Sequence, residues 1–534
     1  MSKMTENQAA VIGASVLETL TTGMYTDPII IYREYIQNAC DAIDQAVREG
    51  LLPARRQGSI SICIDTEKRH VSIEDNGAGV PAEMFHSTVG DIANSAKEAG
   101  RDKGFRGIGR LAGLAYCKKL VFTTRAAGER SISRLECDAI KFCAMVNEKG
   151  HTAAEVLAAA FSFSSEESEK EPAHFFRVEM IDIVRETDAL LGRERIRSYL
   201  SFVAPVAFDQ SFYQRKLISD YAAQHDFSLD EYGIILDGQR IFKAYRTNYS
   251  YRDNQSDSIQ DLAFKELTDQ DGTILAWLWY ARTGFLAAIK GKDYELGGIR
   301  VRVGNIQIGD VKTLRPFYQE DRFAGYVIGE LHVLHSAGLR PNARRDYFNS
   351  SSQLTQLEEA FREVALEIGK LCRAGSDMNM DFKSIRRYEK AKADFEKKDE
   401  ENTFLDAKAR QKAEEELKVL GKKAKHSELL LKSIEQAGKK DNASDLDVGR
   451  ARIAKARLAS LKKEREADLP AASPKKPRPK KEQKKDARRT DNLAQLSKKE
   501  KKMVDKIYRV VESTFVDEPA TAERVIAAIE AALR

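Results

Sequence analysis

The sequence predicts an α+β multidomain chain: an α/β sandwich at the N-terminus, a second α+β unit, then long helices and a small helical tail. Three observations carry that reading. Helical and strand patterns alternate up to about Val184, and strand-like runs return between residues 232 and 309. From roughly 381 to 465 the chain turns to Ala, Lys and Glu with apolar residues at helical spacing. This order gives a first domain over 1–190, a second over 191–350 and a connecting helix over 351–380. Charged coiled-coil helices then fill 381–465, a basic linker 466–495 and a small helical domain 496–534. At 534 residues the chain has room for about three or four such units.

Each element has a local reason. Residues 27–49 open on Asp-Pro, which favours a helix start, and keep apolar residues on one face until Gly50. SISICID (59–65) and HVSIEDNG (70–77) alternate as two neighbouring strands that end in a turn. A glycine-rich stretch occupies 77–113, after which KKLVFTTR (118–125) and FFRVEMIDIV (175–184) return to strand character. In the second unit, YGIILDGQRIFKAY (232–245) places two apolar runs around Asp237-Gly238, a hairpin signal. TILAWLWYA (273–281) and GIRVRVGNIQIG (298–309) are further strands. Trp277 and Trp279 share one strand face and read as core, whereas His332 and His335 point to opposite faces of a strand-like run and cannot form a two-histidine metal site. After Gln353 the chain is helical. Leu417, Leu420, Ala424, Leu431 and Ile434 keep a spacing that predicts a coiled-coil hairpin with its turn at 438–445, the alternative being a charged helix that pairs with nothing. PAASPKKPRPKK then holds four of the twelve prolines and reads as an extended linker. Residues 498–534 read as two short amphipathic helices.

Composition excludes several classes. No stretch approaches the ~18 uninterrupted apolar residues of a membrane-spanning helix, so no membrane partner is expected. MSKMTENQAA has no apolar signal core, and the six cysteines form no CxxC pair, so a cytoplasmic protein with reduced thiols is expected. Charged residues reach 32%, yet the net charge is only +5. Residues 470–490 hold nine Lys/Arg against two Asp/Glu, so the rest of the chain is close to neutral. That segment is a candidate nucleic-acid contact, or simply a solvated linker.

Three motifs carry chemistry. Glu34, Asn38 and Asp41 are spaced so that a helix places them on one face, offering a general base beside a ligand for a hard cation such as Mg2+. A merely polar helix face would show the same spacing. Asp75-Asn76-Gly77-Ala78-Gly79 ends a strand, where a carboxylate can accept from an exocyclic amine and glycines let backbone approach a flat ligand; an Asx turn is the alternative. Gly104-Phe105-Arg106-Gly107-Ile108-Gly109 can converge backbone N–H groups on an anion, with a following helix N-terminus to help.

Together, ExxxNxxDA (34–42), DNGAG (75–79) and GFRGIG (104–109) resemble, in order and spacing, the motifs of the GHKL ATPases (gyrase, heat-shock chaperone, histidine kinase, MutL). YREYIQNACDAIDQ, VSIEDNGAGV, VGDIANSAK and KKLVFTTR are most similar to the heat-shock protein 90 family of the HtpG type. The resemblance is good over 15–125, thinner to about 185, and resumes at 298–350. It implies a GHKL (Bergerat-type) sandwich followed by a transducer domain, with ATP and Mg2+ as cofactors. By that resemblance Glu34 activates water, Asn38 holds Mg2+, Asp75 binds the adenine amine with Gly77 and Gly79 close to the base, and Gly104, Gly107 and Gly109 pass over the phosphates. Residues 80–103 would form a mobile lid. Arg33, Asp41, Asn94 and Lys97 take matching positions near the pocket. LRPNARRD (339–346) is similar to the loop that carries an ATP-sensing arginine, with Arg345 the better fit and Arg344 next.

Two departures stand out. The Gly-Thr pair the family usually carries before its last strand is replaced by His174-Phe175-Phe176-Arg177, and the lid is shorter. The resemblance implies an Mg-dependent ATPase acting as a chaperone-like clamp, an ATP-dependent homodimer and a client protein. A MutL- or MORC-like nucleic-acid clamp, using 470–490, and a non-catalytic nucleotide-gated scaffold are the alternatives. Nothing resembles a phospho-acceptor segment or a strand-cleaving module, which argues against histidine-kinase and gyrase functions.

Overall fold

Ile60, Ile62 and Ile64 alternate with polar residues, and that alternation buries one face of strand β1 (Ser59–Asp65). β2 (His70–Asp75) pairs with it antiparallel and buries Val71 and Ile73 on the same side. The computed structural model describes residues 12–20, 27–91, 109–168, 173–252, 255–285, 287–467, 496–515 and 519–533. They divide into two compact units, 1–465 and 466–534.

In the first unit β1 and β2 belong to an eight-stranded sheet. It also contains β3 (Cys117–Arg125), β4 (Ser131–Asp138), β5 (Phe161–Glu167), β6 (Phe175–Ile183), β7 (Gly233–Leu236) and β8 (Gln239–Arg240), in the order β5-β4-β3-β6-β2-β1-β7-β8. Of the N-terminal helices α1 (Ser15–Leu20), α2 (Ile30–Arg48), α3 (Ala82–Phe85), α4 (Ala139–Asn147) and α5 (Ala153–Ala160), α2 positions the site. Its Tyr32, Ile36, Cys40 and Ile43 share a core with Ile62, Ile73, Leu120 and Phe122.

The expected division at residue 190 is not where this sheet ends. The hairpin around Asp237-Gly238 forms, with both residues at positive φ (47° and 78°), but it joins the first sheet. β7 runs parallel to β1 from Ser59–Gly233 to Ile62–Leu236. Ile234 and Leu236 enter the first core, and Asp237 Oδ1 accepts the Ile64 N–H at 2.9 Å.

Helices α6 (Arg193–Val203) and α7 (Arg215–Gln224) and a two-stranded ribbon, β9 (Asn248–Arg252) with β10 (Gln255–Ser258), precede a second sheet. That sheet is β11 (Asp261–Thr268), β12 (Ile274–Arg282), β13 (Gly298–Val303), β14 (Ile306–Ile308) and β15 (Ile328–Val333), ordered β11-β12-β15-β13-β14. Trp277 and Trp279 are fully buried within an aromatic cluster with Phe212 and Tyr245.

The expected break at 380 is absent. α8 (Ser352–Glu400) runs through it, because the stretch has no proline and its two glycines, Gly369 and Gly375, pack against Phe323 and Phe285. α9 (Ala407–Ala437) and α10 (Asp445–Ala467) fold back on it: Ala424, Leu431, Ile453 and Leu461 are buried, and Arg465 bonds Glu389 (2.6 Å) and Glu428 (3.1 Å). In the second unit α11 (Lys498–Thr514) and α12 (Pro519–Ala532) share a small core of Val504, Tyr508 and Ile526. Residues 468–495, with most of the expected linker, lie outside the described residues. Among the described residues, no helix is long and apolar enough to cross a membrane.

The second sheet buries charge. Glu330 on β15 is fully enclosed, with Lys243 Nζ at 2.8 Å, Arg302 Nε also bonded to it and His332 Nε2 at 3.1 Å. Burial opposes ionisation of Glu330, but Arg302 and Lys243 outweigh it and hold the carboxyl well below the usual range. Burial lowers His332 to about 4. An unfolded His332 therefore binds a proton between about pH 6.5 and 4 that the folded one refuses, so stability falls as pH drops through that window. The expected loss from this group is about 3 kcal/mol. Urea unfolding of wild type and His332→Gln at pH 7 and 4.5 checks it; an identical pH dependence in both proteins would refute it.

Candidate active site

Asp27 starts α2 by accepting the Ile29 N–H at 3.1 Å, and Pro28 follows where no helical donor is needed. The helix then presents Glu34 (8% exposed), the half-buried Asn38 and Asp41 (5%) along one side. Arg33 is also buried. Its Nη2 lies 3.4 Å from Glu34 Oε1 and donates to the Arg344 carbonyl at 3.1 Å. The other carboxylate oxygen of Glu34 faces Gly109 so closely that a Cβ there would stand 2.6 Å from it.

The expected helix after the glycine motif is a 3-10 turn, Gly109–Ala115. Tyr35 OH donates to the Arg110 carbonyl and accepts from Gly113 N–H, both at 3.1 Å, which draws this turn onto α2. Burial lowers the Arg110 pKa. Gly104, Gly107, Asn94 and Lys97 lie outside the described residues, and the proposed lid is described only to Asp91.

Asp75 ends β2, 5% exposed, and its Oδ1 accepts the Gly77 N–H at 2.9 Å. Three hydrogen bonds hold the loop beyond. Ala78 N–H donates to the Ala42 carbonyl of α2 at 3.1 Å, Val80 N–H to Thr124 Oγ1 at 3.0 Å, and His174 Nδ1 meets the Gly77 carbonyl at 2.6 Å. Gly79 takes φ 69°, where a Cβ would come 2.1 Å from the Arg125 carbonyl, so glycine is required. Register places Asp75, Phe176 and Thr124 side by side across β2, β6 and β3. Phe176 thus occupies the middle of that row, and Thr124 supplies its hydroxyl, which donates to the Phe175 carbonyl at 2.8 Å.

Sequence reasoning missed three neighbours. Thr124 reads as an ordinary β-branched strand residue, and His174 as one half of a departure. Tyr199 on α6 lies within electrostatic reach of Arg33 and Glu34, and burial first, then Glu34, pushes its pKa up to about 12 against the pull of Arg33. Only the strand character of KKLVFTTR was visible, and it does not signal a site.

The loop 339–348 reaches α2 from the second sheet. Asn342 N–H donates to the Tyr347 carbonyl at 2.9 Å, Arg345 N–H to the Asn342 carbonyl at 3.1 Å, and the Arg345 carbonyl accepts Gly309 N–H at 2.8 Å. Arg345 itself is at φ 53°, a left-handed position uncommon for a side-chain-bearing residue. The residue types on α2 and at the end of β2 suit a nucleotide. Asp75 is a buried acceptor suited to an amine, Asn38 an oxygen ligand suited to a hard cation, and Glu34 a carboxylate suited to a water proton.

Residues 30–186 match the family described as histidine kinase-, DNA gyrase B-, and HSP90-like ATPase. Curated relatives include three proteins named chaperone protein HtpG. That of Nitrobacter winogradskyi is 28% identical over 143 residues (23% of this chain, 22% of the relative), and that of Chromobacterium violaceum 30% over 138 (23% and 22%). That of Nitrosomonas europaea is 32% identical over 131 residues (21% and 20%). The matched stretch spans about a fifth of the length of these relatives. The resemblance drawn from the motifs is borne out over that region.

Proposed function

We propose that the chain is an Mg-dependent ATPase that works as a chaperone-like clamp, with the second sheet and its 339–348 loop as transducer. The observation that carries this is Arg33, which touches both Glu34 and the Arg344 carbonyl and so ties the candidate base to the candidate sensing loop. Asp75, with Gly77 and Gly79, would hold adenine. Asn38 would hold Mg2+, assisted by Asp41, and Gly104, Gly107, Gly109, Asn94 and Lys97 would serve the phosphates and lid. Mg2+ would offset the phosphate charge and orient the terminal group. Glu34 takes a proton from water as the water oxygen attacks the terminal phosphorus and ADP leaves. An ATP-dependent homodimer acting on a client protein in the cytoplasm completes the reading, which the HtpG relatives support by their chaperone names.

A planar guanidinium suits a terminal phosphate by two parallel hydrogen bonds. Arg345→Ala is therefore expected to leave ADP affinity unchanged and lower ATP turnover on the order of 10²-fold. Steady-state turnover beside ADP titration calorimetry checks this, with Arg344→Ala as the comparison; equal loss of ADP and ATP affinity would point to a folding defect.

A nucleic-acid clamp is the second reading, favoured by the nine cationic residues in 470–490. Phosphate contacts of that kind release counterions, so binding would fall steeply with salt and ignore base sequence. If this reading holds, deleting 470–490 abolishes a gel shift and DNA stimulates the ATPase of the intact chain. No shift and no stimulation at low salt would remove it. The non-catalytic scaffold is disfavoured because Glu34 is present.

A further inference from the structure

Beside Glu34 on α2 lies a polar group that the reading above leaves unused. Gln37 is 1% exposed, and among the described residues neither its Nε2 nor its Oε1 has a hydrogen-bond partner. Arg33 Nε, one helical turn earlier, is buried and unpartnered too. Buried polar groups are partnered in the large majority of cases, and an amide left alone forfeits its hydration with no return. A leucine or methionine of similar volume would leave no buried polar atom unpaired at this position.

Residues three and four apart on a helix are neighbours, so Gln37 adjoins both Arg33 and Glu34, with Asp41 one turn beyond. Arg33 Nη2 is already engaged with Glu34 Oε1 and the Arg344 carbonyl. The orphaned atoms therefore flank the candidate base on the side where the 339–348 loop meets α2.

Resting on the ATPase reading, we propose that Gln37 is a positioning residue for Glu34. A carboxamide both accepts and donates: Oε1 can take the Arg33 Nε–H while Nε2 donates to the Glu34 carboxylate. That arrangement satisfies both orphans together and fixes the carboxylate, and it is reached by side-chain rotation beside the 339–348 loop, which already touches Arg33. The unpartnered arrangement then favours the paired one, because rotation recovers hydrogen bonds that it lacks.

The test uses the full-length protein with Gln37→Leu, which keeps the volume and removes both polar atoms, and Gln37→Met as a second apolar variant. The expected result is a thermal midpoint no lower than wild type, ADP affinity within about twofold, and kcat reduced roughly 10- to 100-fold, the scale of a misplaced catalytic group. An unchanged kcat with a raised midpoint would overturn the proposal and leave Gln37 as a tolerated core amide. Equal losses of midpoint, ADP affinity and kcat would overturn it in favour of a purely structural role. Wild-type turnover that survives Glu34→Ala would instead defeat the ATPase reading, and the role of Gln37 with it.

Discussion

Glu34→Ala will bind ATP with Mg2+ yet lose roughly 10²–10⁴-fold in turnover, the range for removal of a general base. Arg33 lies against Glu34 Oε1 and the Arg344 carbonyl, so alanine also leaves a buried guanidinium short of one partner. Glu34→Gln keeps that contact and should show the same loss of turnover with less change in stability. Asp75→Asn should fail earlier, at binding. An asparagine oxygen can still accept the Gly77 N–H, so the turn survives, while its NH2 would oppose the adenine amine. Nucleotide titrations beside single-turnover rates separate the two steps. Near-normal turnover in Glu34→Ala would sink the assignment of the base.

The second large effect is on stability. Glu330→Leu would leave Lys243 and Arg302 buried against the second sheet without their shared carboxylate, a change expected to cost about 3–5 kcal/mol. Replacing all three at once, as Lys243→Met, Glu330→Leu and Arg302→Leu, should recover most of that loss, since no unpaired charge remains. Urea unfolding midpoints for the single and triple variants decide it; a single variant as stable as wild type would show that the cluster is not charged as described. The cluster does more than hold one sheet. Lys243 reaches Asn305 Oδ1 at 2.8 Å, and Asn305 donates to the Asp230 carbonyl at 2.7 Å. Asp230 pairs with Arg55 at 2.7 Å, and Arg55 with Asp44 of α2 at 2.6 Å.

How much could be read from the chain depended on range. α2, β1, β2, β3 and β6 were legible because amphipathic spacing and caps are local properties. β7 was legible as a strand, but its partner was not: Ile234 and Leu236 suit either sheet, and only three-dimensional packing chooses β1. The unbroken α8 was illegible at residue 380 for the opposite reason, since composition shifts there while helix geometry does not. At the candidate site, spacing singled out Glu34, Asn38, Asp41 and Asp75 as candidates. Thr124 and Gln37 were not, because their significance lies in which neighbours they meet or fail to meet.

The pairing of β7 with β1 also bears on how the chain is made. Synthesis proceeds at ~5–20 residues per second, so the roughly 170 residues between Asp65 and Gly233 take on the order of ten to thirty seconds to emerge. For that interval SISICID has no neighbour on one side, and it is a proline-free, weakly charged run of β-formers, the kind of exposed edge that recruits other chains. Until Gly233–Leu236 has emerged, that edge of the nascent first sheet is therefore open to pairing with another chain.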